Sequence, residues 1–390
     1  MSSPRPLLLS SLLLAGFTLA CSTALSAAEY SLIEIPAPLN HAVGLNNRGD
    51  VVGDAGPGSP GPSPSGALVY HGITGVLTLL PCQGTSGCSS VATGVNDHGD
   101  VVGTNNSSVG APPNAAIWLS NGGVTVLENT FSFGVGINNQ GQAVGNSYDF
   151  HGDQSGFVTD SLGQTHLTLI WLIQCGFGFC GAQTGGAAIN DLGHAVGWSD
   201  WGAEPPSEPG AGQAWSGIHA VMWVNGSPTD LGALGNHTYA SAHSVNNLDA
   251  VVGNSTVGAA SHAFLYRNGS MGDLGNLPGE PQLNSDALDI NDQDEIVGWS
   301  DVRLDADHSI TQRAFVMKNG QMQNLTFLLD PQVWARIRLT EATSIDCHGL
   351  IAANGYEAAS GAKHAYLLVP NKPLQVECPQ SRAAPAVLAK

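Results

Sequence analysis

The chain has 390 residues and carries 12 Lys and Arg against 31 Asp and Glu, a formal net charge of −19 at neutral pH. No Lys or Arg occurs between Arg48 and Arg267. The clustered cations that a nucleic-acid or anionic-membrane surface requires are therefore missing from that stretch, which argues against both partners.

Residues 1–28 combine Arg5, an apolar run from Leu7 to Ala20, and small residues at Ser26, Ala27 and Ala28. That order predicts a secretory signal peptide cleaved before Glu29. The apolar run is too short to serve as a permanent membrane span. A competing reading takes Leu19-Ala20-Cys21-Ser22 as a lipobox, with Cys21 lipidated at the mature N-terminus. Both readings export the chain, to a secreted or periplasmic location or to a lipid anchor.

Beyond Cys21 there are six cysteines: Cys82, Cys88, Cys175, Cys180, Cys347 and Cys378. An even number in an exported chain suggests disulfides, and pairing in chain order is the expectation, though the sequence does not fix the connectivity. Zinc competes poorly, because only Cys175 and Cys180 approach ligand spacing and no second pair lies nearby.

The segment Tyr30–Pro36, YSLIEIP, reads as a strand with no partner of its own. The phrase HAVGLNNRGDVVGDA follows at residues 41–55 and returns six times, the last copy worn. Aligned on one column, the copies place Asn46, Asn96, Asn138, Asn190, Asn246, Asn291 and Asp346 at intervals of 42 to 56 residues. That period matches a four-stranded propeller blade. Within each copy an apolar strand ends in Asn-x-x-Gly and a second strand begins, the pattern of a tight turn closed by a residue of positive φ. Gly49, Gly99, Gly141, Gly193 and Gly349 fill the closing position, with Asp249 and Asp294 as tolerated substitutes.

Two residues before the Asn column stand Gly44, Gly94, Gly136, Ala188, Ser244 and Ser344, with Asp289 the exception. Small side chains there suit first strands that crowd around a central axis. A third strand follows around Ala67, Ala116, Gly156, Ala220, Ala263, Ala314 and Ala365. The fourth follows Asn-Gly turns at Asn225, Asn268 and Asn319. The expected fold is all-β, a seven-bladed propeller over residues 29–370 with a tail at 371–390. Its last blade lacks a clear fourth strand, which Tyr30–Pro36 would supply to close the ring.

The triplet His262-Ala263-Phe264, with its variants His219-Ala220-Val221, Arg313-Ala314-Phe315 and His364-Ala365-Tyr366, resembles the bacterial extracellular HAF repeats. The IND-x-G-x-VVG and D-L-G-x-L-G phrases complete the likeness. The resemblance covers nearly the whole mature chain and implies a propeller-like exported protein with no general assigned activity.

Topology places the tight turns at one end of the ring and the longer, unequal connections, Trp198 to Ile218 and Trp299 to Gln312 among them, at the other, where binding residues usually sit. Trp198, Asp200, Trp201 and Trp215, with Trp299 and Asp301, form the candidate ligand site, since aromatic rings beside carboxylates suit sugar faces. Trp198 and Trp299 would equally fill grooves between blades, while Trp201 is expected to be exposed. Calcium is a candidate ligand of Asp301, Asp305 and Asp307, although no cofactor is required and the spacing is not that of a calcium-wrapping loop. The recurring His219, His262 and His364 stand a blade apart and are expected to be structural.

The expected function is an exported binding or scaffold propeller, a monomer, whose partner is an extracellular glycan or protein. The alternative is a polysaccharide lyase or hydrolase using Asp200 or Asp301 with His308 as acid and base.

Overall fold

A computed structural model describes residues 28–55, 66–84, 87–108, 110–127, 131–150, 152–160, 163–167, 183–202, 215–235, 237–279, 282–304, 309–372 and 378. The described residues form seven four-stranded antiparallel sheets. Their first strands are β2 (His41–Leu45), β6 (Ser89–Val95), β10 (Ser132–Ile137), β14 (Thr184–Ile189), β18 (Ala240–Val245), β22 (Ser285–Ile290) and β26 (Ile337–Ile345). Each touches the next, and β26 touches β2, so the sheets close into a seven-bladed propeller.

Six blades run in chain order, and the seventh is assembled from both ends. Strand β1 (Tyr30–Glu34) pairs with β28 (Lys363–Pro370), beside β27 (Ile351–Glu357) and β26. Tyr30 lies opposite Pro370 and Glu34 opposite Tyr366. The orphaned strand therefore covers an edge that would otherwise expose unpaired backbone groups.

Blade four shows how the repeat writes a blade. Strand β14 turns at Asn190–Gly193 into β15 (Ala195–Gly202), which pairs with β16 (Trp215–Val224) and then β17 (Ser227–Gly232). Gly193 has φ +79°, and Asp249 and Asp294 hold φ +58° and +61° in the equivalent turns. The Asn-Gly turns agree, with Asn225, Asn268 and Asn319 each at φ +51°.

Every first strand carries a β-bulge between the fourth and second residues before the Asn column, as at Gly186/Ala188 and Ala242/Ser244. The bulge explains the glycine that ends VVG. A Cβ on Gly197 would stand 1.9 Å from the Gly185 carbonyl oxygen. The small column is also crowded. A Cβ on Gly44 would meet Val52 at 3.2 Å and the next blade's Thr93 carbonyl at 3.3 Å.

The core lies between blades as a series of apolar layers. Val196, Ala220 and Leu231 of blade four pack with Ala240, Val251 and Phe264 of blade five. The Ala-Phe of the third strand serves successive layers of this kind, since Ala263, Phe264, Ala314 and Phe315 are all fully buried.

Two sequence expectations about loops are corrected. The connection expected from Trp198 to Ile218 is strand as far as Gly202 and again from Trp215, and β23 (Ile296–Arg303) runs past Asp301. Trp198, Asp200, Trp201, Trp299 and Asp301 are strand residues held by cross-strand pairing.

Candidate functional site

The Asn column is the inner frame of the axis. Asn190 Oδ1 accepts from the backbone N–H groups of Leu192 and His194, fixing its own turn, while its Nδ2 donates 2.9 Å to the carbonyl of Asn246 in the next blade. The same reach runs from Asn46 to Asn96, Asn96 to Asn138, Asn138 to Asn190, Asn246 to Asn291, and Asn291 to Asp346. Asp346 has no amide to continue it. Its carboxyl accepts from His348 and Leu350 N–H and is buried, and burial pushes its pKa up to about 6.

One residue further on, a second ring reads Asn47, Asp97, Asn139, Asp191, Asn247, Asp292 and Cys347. Backbone N–H groups donate around it: Asn47 to Asp97, Asp97 to Asn139, Asn139 to Asp191, Asp191 to Asn247, Asn247 to Asp292, and Cys347 to Asn47. Asn amides add bonds to the carboxylates, so Asp97 Oδ2 receives both Asn47 and Asn139 at 2.8 Å. Both rings border a cavity of about 210 Å³ at the turn end.

Deeper along the axis lies a cavity of about 420 Å³. Blades one to four line it with small or apolar residues and Thr93, whereas blades five to seven add His243, Ser244, Asp289, Thr343 and Ser344. Asp289 accepts from Ser244 Oγ at 2.6 Å and Ser344 Oγ at 2.7 Å, so it ties together both neighbouring blades. Burial raises its pKa despite these donors. His243 Nδ1 lies 3.0 Å from Asp286. Burial opposes its charge, yet the Asp286 hydrogen bond and charge carry its pKa upward. Sequence reasoning noticed Asp289 as the exception in a small column and gave it no task, and His243, the bulge residue of blade five, passed unnoticed.

The recurring histidines have partners of their own. His219 and His262 lie 2.9 and 3.0 Å from Asp230 and Asp273 of their blades' fourth strands, the Asp of D-L-G. In blade seven His364 meets Glu34 at 3.0 Å, so β1 supplies the acid that a fourth strand would. The repeat thus pairs a third-strand His with a fourth-strand acid eleven residues on, a spacing that was readable in the sequence.

The candidate ligand residues divide between two blades that are not neighbours: Trp198, Asp200, Trp201 and Trp215 on blade four, Trp299 and Asp301 on blade six. Strand alternation sends Trp198 and Asp200 to one face of β15 and Trp201 to the other. Trp201 stacks on His219, centroids 4.5 Å apart and planes 11° apart, and is half-buried. The Trp198 indole fills the space over Gly185 beside Gln154 of blade three. Asp200 Oδ2 accepts from Gln183 N–H at 2.8 Å, and burial raises its pKa. Asp301 accepts from Asn284 Nδ2 at 3.0 Å. The Trp215 side chain, Asp305, Asp307, His308, Cys175 and Cys180 lie outside the described residues.

Cys82 and Cys88 are joined as a disulfide, Cα atoms 6.1 Å apart, as are Cys347 and Cys378, 5.7 Å apart. Among the described residues the one tight grouping of three metal-ligating side chains is Cys347, His348 and Cys378, and its sulfurs are spent on the second disulfide.

The fold and this geometry define a seven-bladed propeller with a polar axis. No protein-family description and no curated protein matches the chain. Among solved structures it is similar to an acylaminoacyl peptidase of Pyrococcus horikoshii, at 8% identity and TM-score 0.49, over 84% of this chain and 50% of that one. The chain thus spans about half that enzyme's length. It is also similar to a gluconolactonase of Xanthomonas campestris (14%, TM-score 0.36, 88% and 96% covered) and to Trypanosoma rangeli sialidase (9%, TM-score 0.37, 88% and 59% covered). Likeness at that level bears on no residue of the site.

Proposed function

We propose that the chain is an exported binding propeller of the HAF-repeat type, with its ligand contact at the loop end and a neutral or cationic ligand, a glycan being the class its aromatic rings and amides suit. One observation carries the reading. The repeat's polar residues are consumed by the fold, the Asn column and second ring bonding blade to blade and the histidines pairing with fourth-strand acids. Recognition is left to residues that take no part in those two rings or histidine pairs, and Trp198, Asp200, Trp299 and Asp301 in the loop-side halves of β15 and β23 are the ones we assign to it. The acidic balance of the chain favours a ligand without negative charge.

A panel of neutral, amino and acidic oligosaccharides, read by calorimetry beside thermal melts, tests the reading. Trp198→Ala and Trp299→Ala are expected to weaken binding of the cognate member by about 1 to 3 kcal/mol. Affinity unchanged in both variants would remove the loop end from the contact. The enzyme reading has one favouring observation, the raised pKa of Asp200, the direction a general acid needs. Shortened saccharides accumulating with wild type and absent with Asp200→Asn would establish that reading instead.

A further inference from the structure

The two described disulfides sit in different chemical surroundings. Cys82 and Cys88 are both half-buried, and among the described residues no histidine or carboxylate lies within hydrogen-bond distance of either sulfur. At the other disulfide, His348 Nδ1 lies 3.5 Å from Cys347 Sγ and 3.4 Å from Cys378 Sγ, with Nε2 3.2 Å from Cys378 Sγ. The Asp346 carboxyl stands 3.3 Å from the same Nδ1, its side chain wholly shielded from solvent while the imidazole is 39% exposed. Cys347 is 5% exposed, whereas Cys378 is half-buried.

We propose that Cys347–Cys378 is an exchange-active disulfide, opened by a dithiol reductant in the compartment to which the chain is exported. Cys378 is the sulfur attacked, Cys347 the leaving thiolate, and His348 the acid that receives it.

The asymmetry of exposure chooses the sulfur. A thiolate must approach along the S–S axis, and Cys378 is the more exposed end of the bond. One thiolate of the dithiol bonds to Cys378 Sγ, the Cys347–Cys378 bond breaks, and its electron pair leaves on Cys347 Sγ. A thiolate in a buried pocket is a poor leaving group unless a proton or a cation is at hand, and the His348 ring, with Nδ1 3.5 Å from Cys347 Sγ, is placed to deliver the proton. The reductant's second thiolate then attacks its own sulfur in the mixed disulfide, Cys378 departs as a thiolate, and water returns a proton to it. The dithiol is oxidised to a disulfide and the protein disulfide is reduced to two thiols, while the two protons the dithiol releases to solvent replace the one drawn from His348 and the one drawn from water. Cys347 borders the turn-end cavity, so opening the bond unties Cys378 from a residue of that cavity's rim.

Exposure alone and the proposal predict opposite orders of reduction, which makes the test decisive. The folded protein is treated with limiting dithiothreitol at neutral pH, quenched with acid and alkylated, and the Cys82–Cys88 and Cys347–Cys378 peptides are followed by mass spectrometry. The expected result is that Cys347–Cys378 opens first, although Cys82–Cys88 is the more exposed. His348→Ala should slow the opening of Cys347–Cys378 about tenfold, as loss of an acid beside a leaving thiolate does, and leave Cys82–Cys88 unchanged. His348→Asn, which keeps the backbone bond to Asp346 but cannot deliver a proton, should behave like His348→Ala. Thermal melts of the oxidised variants check that they are folded. Cys82–Cys88 opening first in the wild type, or a rate of Cys347–Cys378 opening that neither variant alters, would overturn the proposal.

Discussion

Asp346 stands in the one place on the inner ring where the chain writes an acid for an amide, so the ring's six cross-blade amide bonds have no seventh. Its pKa is raised by burial from 3.8 to about 6, and an acid so raised stabilises the fold below the unfolded value and withdraws that support as pH rises through the folded one. The shift corresponds to about 3 kcal/mol at most. Asp346→Asn should therefore be more stable than wild type by about 1 to 3 kcal/mol at pH 7. In urea melts the gap between the two proteins should shrink as pH falls from 7 to 4, and a gap constant across that range would refute the assignment. Trp201→Ala is expected to cost about 1 kcal/mol through loss of its stack on His219, seen as a lowered melting temperature. The columns themselves were legible in the sequence, because repetition marks them. What each residue touches was not, since Asn190 reaches a carbonyl 56 residues away that only the packing of blade on blade brings near.

Strand identity was written in the turn residues, and Gly193, Asp249 and Asn225 adopt the positive φ their types allow. Strand length was not. Trp198-Ser199-Asp200-Trp201 looks like the start of a loop, yet it continues β15 because β16 extends alongside it as far as Trp215. The bulge was hidden too, its trace in sequence being a glycine that a turn would equally explain. Two glycines of blade four separate steric from conformational demands. Gly197→Ala drives a Cβ into the Gly185 carbonyl and should cost about 3 kcal/mol or more. Gly232→Ala meets open space at φ +78° and should cost about 1 kcal/mol, the strain of a left-handed residue alone. Chemical denaturation of both variants checks the order, and equal losses would show that the bulge yields.

At the scale of the molecule, β1 joins the two ends of the chain through its ladder to β28 and the Glu34–His364 pair. Deleting residues 28–36 should uncover the β28 edge and buried Tyr366, abolishing the single cooperative melt. A deletion variant that melts like the intact protein would show that the ring closes without its clasp. The closure was legible because the last copy lacks a strand and the first is preceded by one. The Cys347–Cys378 pairing at the seam was legible too, from cysteine order, whereas the turn of the His348 ring onto both sulfurs was not, because adjacency in sequence does not set a side chain's direction.

The second ring has an arithmetic of its own. Amide and carboxylate alternate from Asn47 to Asp292, which lets every Asn amide face a carboxylate and keeps like from touching like. Strict alternation needs an even count, and seven blades cannot provide one. An Asn at position 347 would meet Asn47, and an Asp would meet Asp292. The residue placed there is neither, and it lies at the seam where both chain ends come together. Parity, set by nothing more local than the number of blades, thus leaves one position in the circle where a different side chain fits, and that position is where the chain has put a disulfide-bonded cysteine.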